Sequence, residues 1–232
     1  GTDIAHFVHL HAGERVVGLV PLDDQPAALA TRDGVVKRWS CDAPNNRDDW
    51  PVITLKPGDE VVGAAVCPDP SVLVFVTSGG QLLRFPATTV RLQGRGAGGM
   101  AGVKLPADGH VLAFAAAADT DLVATVAGDA AGRPVSAKVT PLSEYPGKGR
   151  ATAGVRCQRL LKGESRLILA TVGAAPLGCD ATGAAIALPE PDLRRDASGT
   201  PVARLLAHVG AARVDAARVD AARVDSARVV GT

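Results

Sequence analysis

Short apolar runs broken by turn residues recur along most of the chain. Residues 16–21, 27–31 and 35–39 are rich in Val, Leu and Ala, and the breaks carry pairs such as Asp33-Gly34 and Gly79-Gly80. Runs of this length, bounded by Gly and Asp, predict β-strands. Asp-Gly or Gly-Gly between two of them predicts tight hairpins whose turns need positive φ. No uninterrupted helical period of useful length occurs before residue 203.

The runs repeat. Thr31-Arg-Asp-Gly-Val-Val-Lys-Arg-Trp39 and Thr77-Ser-Gly-Gly-Gln-Leu-Leu-Arg-Phe85 share Thr, Gly, an apolar residue, Arg and a closing aromatic at an offset of 46. Upstream, Gly13-Glu-Arg-Val-Val-Gly18 matches Gly58-Asp-Glu-Val-Val-Gly63 at an offset of 45. A looser third copy begins Asp108-Gly-His-Val-Leu-Ala113, with Ala137-Lys-Val139 aligned on Lys37-Arg-Trp39, and a fourth begins Gly163-Glu-Ser-Arg-Leu-Ile168. Units of roughly 45 to 55 residues, each worth some four strands, are the size of propeller blades. The expected architecture is all-β: a propeller-like body over residues 1–209 with about four blades, the repeats lying near 11–56, 57–106, 107–161 and 162–209. In residues 210–232, Ala211-Ala-Arg-Val-Asp215 occurs three times in tandem and Ser226-Ala-Arg-Val-Val230 is an altered copy. A five-residue period gives neither a helical nor a strand face. The tail is expected to be low-complexity, disordered or weakly helical.

Composition narrows the core. Aromatics are 3% of the 232 residues, with 41 Ala and 26 Gly, so the blades must pack through Val, Leu, Ile and Ala. Apolar runs such as 61–67 and 111–118 are far short of the roughly 20 residues of a membrane helix. The chain starts at Gly1, its only methionine is Met100, and it has no basic-then-apolar leader, so it is expected to be a piece of a longer protein. Cys41, Cys67, Cys157 and Cys179 are scattered without a CxxC pair, which fits a reducing compartment rather than a disulfide scaffold or a zinc site.

Charge changes the picture more. The formal net charge is +1, yet it is a cancellation of blocks. Residues 1–69 hold 6 bases and 11 acids, while 70–107 hold Arg84, Arg91, Arg95 and Lys104 with no acid. Residues 108–132 hold four Asp and no base, 133–162 hold seven bases against Glu144, and 163–232 balance at eight each. Two basic stretches in a neutral chain point to a charged face, with a solvated surface as the plain alternative.

Motifs for catalysis are weak. Gly94-Arg-Gly-Ala-Gly-Gly99 matches GxGxxG, but Met100-Ala-Gly-Val-Lys-Leu-Pro106 after it is strand-like, whereas a dinucleotide site needs a helix there. His6, His9 and His11 have no Cys, Asp or Glu to complete a ligand set, so a surface or packed cluster is the better reading than a metal site. Tyr145, the sole tyrosine, lies in a loop without an organised base and fits packing or a DNA edge better than catalysis. Asp23-Asp24 and Asp48-Asp49 are adjacent, so their side chains diverge in an extended chain. No catalytic or metal-binding residue is expected.

Two Gly/Arg loops remain, Val90-Arg-Leu-Gln-Gly-Arg-Gly-Ala-Gly-Gly-Met100 and Tyr145-Pro-Gly-Lys-Gly-Arg-Ala-Thr-Ala-Gly154. Glycine exposes backbone N–H donors and lets the chain approach a phosphate; Arg and Lys neutralise its charge. At equivalent places in successive blades, such loops would line one rim, which suits duplex DNA. The rim candidates are Arg84, Arg91, Arg95, Lys104, Lys138, Lys148, Arg150, Arg156 and Arg159, with Lys37 and Arg38 added. Some of these are expected to be ordinary strand surface charges instead. The competing readings are a protein-interaction scaffold of propeller type that does not bind DNA, which the acidic block at 1–69 favours, and a propeller hydrolase, for which no acid/base or metal set is assembled.

On Gly34-Val-Val-Lys-Arg38, Gly80-Gln-Leu-Leu-Arg-Phe-Pro86, Gln93-Gly-Arg-Gly-Ala-Gly-Gly-Met-Ala-Gly-Val-Lys-Leu105 and Tyr145-Pro-Gly-Lys-Gly-Arg150, the chain resembles the C-terminal domain of the DNA gyrase A subunit. The topoisomerase IV A subunit shares this resemblance, which extends over about residues 4–207. It implies a β-pinwheel, a propeller-like ring with strands exchanged between blades, open or incomplete here. It also implies duplex DNA bent on a basic rim and presented to a cleavage core. The implied partners are that A-subunit core and an ATPase B subunit, with Mg²⁺ and ATP bound outside this domain and no cofactor within it. The implied location is bacterial cytoplasm, at the nucleoid, with no membrane partner. The family's Gln-Arg-Arg-Gly-Gly-Lys-Gly box is nearest to Gln93-Gly-Arg-Gly-Ala-Gly-Gly99, where Gly94 and Gly98 replace Arg and Lys. That departure implies a topoisomerase IV-like rather than a fully wrapping, gyrase-like domain.

Overall fold

The computed structural model describes residues 4–22, 25–41 and 49–212, with Thr2, Pro44 and Asn46. Repeated strand segments form fifteen β-strands among these residues: β1 (Pro26–Thr31), β2 (Val35–Ser40), β3 (Val61–Val66), β4 (Val72–Thr77), β5 (Gln81–Pro86), β6 (Met100–Ala101), β7 (Val111–Ala117), β8 (Leu122–Gly128), β9 (Pro134–Pro141), β10 (Val155–Arg156), β11 (Arg166–Gly173), β12 (Ala175–Cys179), β13 (Ala185–Ile186), β14 (Thr200–Pro201) and β15 (His208–Ala212). They make four antiparallel sheets, in the orders β3-β1-β2-β6, β7-β4-β5-β10, β11-β8-β9-β14 and β15-β12-β13. The fold is the all-β, four-bladed pinwheel that the repeats and the resemblance imply.

The sheets do not follow the repeats one to one. Each of the first three blades takes a hairpin from one repeat and its two outer strands from the next. In blade 1, β1 and β2 are flanked by β3 and by β6, and β6 follows the hairpin of blade 2. The hairpins form where Thr-x-x-Gly predicts them. Gly34 and Gly80 have φ of +87° and +75°, and the Thr31 and Thr77 hydroxyls accept the N–H of Val35 and Gln81.

The inner strands stack in series, β3 on β7, β7 on β11 and β11 on β15. Between blades 1 and 2 lies a core of Val, Leu and Ala around three aromatics: Phe75 lies 5.7 Å from Phe85 and 5.1 Å from Phe114, centroid to centroid. Tyr145 is fully buried in the next core, with Val76, Leu82, Leu142 and Leu167, and burial drives its phenol pKa well above the ordinary value. Of its two expected roles, packing is the observed one.

Some expectations are revised or lie elsewhere. Residues 16–21 form no strand: the segment runs beside β3, with the Gly18 Cα so close that an added Cβ would lie 2.8 Å from the Ala64 carbonyl oxygen. Val20 packs with Trp39, but among the described residues no hairpin pairs with this segment, which leaves Leu19 exposed. The alignment of Ala137-Lys-Val139 on Lys37-Arg-Trp39 slips by one. Ser40, Pro86 and Pro141 are the equivalent strand ends, paired with Pro26, Val72 and Leu122, so Lys138 is the counterpart of Lys37 rather than of Arg38. The longer β8–β9 turn and its bulge hide that register in the sequence. The tail expected from residue 210 starts later, since Gly210, Ala211 and Ala212 pair with β12 as part of β15. The readings of Asp23-Asp24, of Asp48 and of the rest of the tail, 213–232, lie outside the described residues.

Candidate nucleic-acid interface

An arginine-bearing loop precedes the fourth strand of each complete blade: residues 93–99 lead into β6, 148–154 into β10 and 192–199 into β14, the first two net basic and the third balanced by Asp192 and Asp196. All three are fastened alike. At entry, the N–H groups of Gln93, Lys148 and Asp192 donate to the carbonyls of Arg38, Arg84 and Val139, at 2.9, 3.0 and 2.9 Å. At exit each loop has a glycine packed against the blade's second strand or turn. Gly99 and Gly154 have φ of +79° and +80°, and a Cβ would meet the Val36 carbonyl at 2.8 Å in one and overlap the Leu82 carbonyl in the other. At Gly199 it would meet the Ser136 hydroxyl at 2.5 Å. An arginine stands four residues before each glycine: Arg95, Arg150 and Arg195.

The third loop escaped sequence reasoning because it retains one glycine and carries acids. The signal that finds it is Arg195 spaced from Gly199 as Arg95 is from Gly99. Arg194, beside it, is tied to Asp192 by Nε and Nη2 at 3.1 and 3.0 Å, which holds the Asp192 carboxyl below its ordinary pKa.

The loops are also tied to one another. The Lys104 N–H donates to the Thr152 carbonyl at 3.0 Å, and the equivalent Arg159 N–H donates to the Ala197 carbonyl at 3.0 Å. Each strand leaving one loop therefore carries its base beside the next loop. Arg91, Arg95, Lys104, Lys148, Arg156 and Arg159 are exposed, and Arg150 is half-exposed with Nη1 donating to the Ala101 carbonyl at 2.5 Å. These seven make the outward set.

The other four bases turn inward, so burial removes them from direct phosphate contact. Lys37 is 0% exposed; its ammonium donates to the carbonyls of Val52, Gly94, Arg95 and Ala97 at 2.6, 2.7, 2.8 and 2.9 Å. Lys138, 3% exposed, donates to Thr140 Oγ1 and to the carbonyls of Arg195 (3.0 Å) and Cys157 (3.3 Å). Burial lowers the pKa of both ammonium groups and pushes the adjacent Cys157 thiol up to about 12. Lys37 and Lys138 thus each sit beneath one of these loops; in blade 2 the same position is Leu83.

Arg38 and its counterpart Arg84 face the other way, between blades. Arg38 Nη1 donates to the carbonyls of Ala87 and Val90, and Nη2 to the Cys67 carbonyl and to Asp69 at 2.6 Å. Arg84 Nη1 donates to the Leu142 carbonyl at 3.0 Å and to Asp119 at 2.7 Å. Ala87 and Leu142 are the first residues of equivalent 3-10 turns, Ala87–Thr89 and Leu142–Glu144, so these guanidinium groups clamp each blade to the next.

The loop 93–99 opens into a strand, not a helix, as its sequence predicts. His9 and His11 meet edge to face at 5.3 Å, and among the described residues no group of three or more His, Cys, Asp or Glu side chains is arranged to hold a metal ion. Among them, too, no helix is long and apolar enough to cross a membrane.

Comparison with known proteins agrees with this geometry. The family described as DNA gyrase C-terminal domain, beta-propeller, matches residues 51–68, 71–118 and 136–172. The DNA gyrase A subunit of Mycobacterium leprae is 34% identical over 164 residues, 67% of this chain and 12% of that protein. Its counterpart in Mycobacterium bovis is 31% identical over 182 residues, 74% of this chain and 21% of that protein. The chain thus spans about a fifth or less of these relatives. Among solved structures, the C-terminal domain of DNA topoisomerase IV aligns with a TM-score of 0.72 at 19% identity, over 90% of this chain and 69% of that one. A DNA gyrase A C-terminal domain aligns at 0.70 and 18% identity, over 90% and 74%. In sequence, blade architecture and strand exchange, the chain belongs to the family of C-terminal pinwheel domains carried by the A subunits of type IIA topoisomerases.

Proposed function

We propose that this domain binds and bends duplex DNA along the rim made by its three arginine-bearing loops, and presents it to the cleavage core of a type IIA topoisomerase. The observation that carries the reading is the repetition of an arginine four residues before the exit glycine in three successive blades, exposed at Arg95 and half-exposed at Arg150 and Arg195, with Lys104 and Arg159 set between the loops. Cations repeated from blade to blade along one edge suit the phosphates of a bent duplex. The mode is topoisomerase IV-like. Gly94 and Gly98 leave the first loop with the single charge of Arg95, and the third loop offsets Arg194 and Arg195 with Asp192 and Asp196, so the rim supports a bend better than a full wrap. The domain itself supplies no catalytic group; Mg²⁺ and ATP belong to other parts of the parent enzyme, as do the cleavage tyrosine and the B-subunit partner. A cytoplasmic, nucleoid-associated site of action follows from this reading.

The test is a gel shift and a salt titration on the chain with Arg95, Lys148 and Arg150 changed together to Ala. With about six phosphates contacted, affinity of the unmodified chain should fall about a thousandfold between 50 and 200 mM salt. The triple variant should bind more weakly and lose roughly three units of slope. Duplex binding indifferent to salt would overturn the reading, and a DNA-circularisation assay separates bending from simple binding.

One observation favours a second reading, an interaction scaffold. Phe7 and Leu19 are 73% and 81% exposed on the acidic N-terminal part. Retention of a protein partner with no DNA retention at low salt would select it.

A further inference from the structure

Lys37 is a fully buried ammonium with four carbonyl acceptors within 2.9 Å, three of them in the loop 93–99. An ammonium has three hydrogens, so at least one is shared and every one is committed. In a trans peptide the C=O and the following N–H point in opposite directions. Drawing the Gly94, Arg95 and Ala97 carbonyls inward therefore turns the N–H groups of Arg95, Gly96 and Gly98 outward. All three residues are exposed, and among the described residues the Gly96 and Gly98 N–H groups have no protein acceptor. The remaining peptide of the turn is used internally: the Ala97 N–H donates to the Gly94 carbonyl, and the Gly96 carbonyl accepts from the Thr54 hydroxyl at 2.9 Å. The outward face is open at two of these positions: a methyl at Gly94 or Gly96 would meet nothing within 4 Å, whereas one at Gly98 would lie 3.3 Å from the Thr54 carbonyl oxygen.

We propose that Lys37 is a positioning residue for DNA binding: from beneath the loop, its ammonium holds the Arg95, Gly96 and Gly98 amides and the Arg95 side chain outward as one seat for a backbone phosphate. The inference rests on the DNA-binding reading above and adds a buried residue that never touches the ligand. Oriented peptide N–H groups form an anion-binding concavity, and the ammonium behind them adds positive potential without being exposed. In blade 3 the equivalent Lys138 makes one such contact, to the Arg195 carbonyl, its other acceptors being Thr140 and Cys157 outside the loop.

Blade 2 supplies the test variant, because Leu83 occupies the equivalent buried position under the loop 148–154. Lys37→Leu should keep a cooperative melt, bind a labelled duplex about fivefold to tenfold more weakly and lower the salt slope by about one. Lys37→Arg should restore part of the loss. On an Arg95→Ala background, Lys37→Leu should cost less than it does alone, because both act through one seat. A folded Lys37→Leu that binds like the unmodified chain, while Arg95→Ala binds more weakly, overturns the proposal and leaves the DNA reading standing. An unmodified chain that fails to bind duplex at low salt ends both. If Lys37→Leu does not fold, amide exchange on the unmodified chain decides. Protection of Gly96 and Gly98 on adding duplex supports the seat, and unchanged exchange overturns it.

Discussion

Strands β2 and β5 hold equivalent places in blades 1 and 2, yet their charges are handled differently. β2 places Lys37 on one face and Arg38 on the other, and both are buried; β5 places Leu83 and Arg84 there, and Arg84 keeps 15% of its side chain exposed. The loop over Lys37 is gathered by one ammonium. The loop over Leu83 is gathered from outside, by Arg150 on the Ala101 carbonyl, the Ala151 N–H on the Gly102 carbonyl at 2.7 Å and the Thr152 hydroxyl on the Gly149 carbonyl at 2.8 Å. The two loops share their entry and exit but differ in between, where Ala151 has φ of +63° and the equivalent Gly96 has no positive φ, and they are held by two routes. The loop's own arginine is exposed at Arg95 and half-exposed at Arg150, whose Nη1 holds the Ala101 carbonyl.

The largest expected difference between the two strands lies in their arginines. Arg38→Ala removes hydrogen bonds to three carbonyls in a buried seam, of which that of Ala87 keeps the Val90 N–H, and should destabilise the fold by about 2–4 kcal/mol. Arg84→Ala removes one hydrogen bond to a carbonyl that still accepts the Tyr145 N–H and frees an exposed Asp119, and should cost about 1–2 kcal/mol. Denaturant midpoints measure both, and equal losses would break the distinction. Next come the loop glycines. Gly154→Ala forces positive φ and a clash with Leu82 and should cost about 1–3 kcal/mol, whereas Gly149→Ala has open space and should stay within about 0.5 kcal/mol. The smallest effect is on pH. Burial lowers the Lys37 pKa below the ordinary 10.5, so in the window just under 10.5 the unfolded chain holds the proton that the folded chain has lost. Stability due to Lys37 therefore rises with pH across that window. Cys157, raised from 9.0 to about 12, and Tyr145 act with the opposite sign, since folding keeps their protons on. The difference in unfolding free energy between the unmodified chain and Lys37→Leu isolates the lysine: it should climb towards pH 10.5, and a flat difference would count against a buried ammonium.

Much of the fold was legible because hairpins are local. Thr31, Gly34 and Trp39 and their partners Thr77, Gly80 and Phe85 mark β1–β2 and β4–β5 within nine residues. The exchanged strands were not legible from the residues alone. β6, β10 and β14 are two residues long, too short to show alternation, and only the family resemblance implied them. At the rim, Arg95, Lys148 and Arg150 could be read from glycine spacing. Lys37, Arg38 and Lys138 could not, because an isolated base on a strand reads as surface unless one knows which carbonyls wait on the far side. The segment 16–21 shows the converse: it has a strand's pattern and lies along β3, but pairing needs a hairpin that the pattern does not reveal.

The exchange of strands also fixes an order of events as the chain is made. The hairpin β1–β2 is complete at Ser40, but the blade that it founds is closed only when Met100 and Ala101 arrive, after the whole hairpin of the next blade has been synthesised. Blade 2 waits in the same way for Val155 and Arg156. Each of the first three nascent blades therefore passes through a stage with an open edge, and that edge is shielded by its successor rather than by itself. A ribosomal pause between residues 41 and 99 would prolong this stage for blade 1, and a pause after 101 would not.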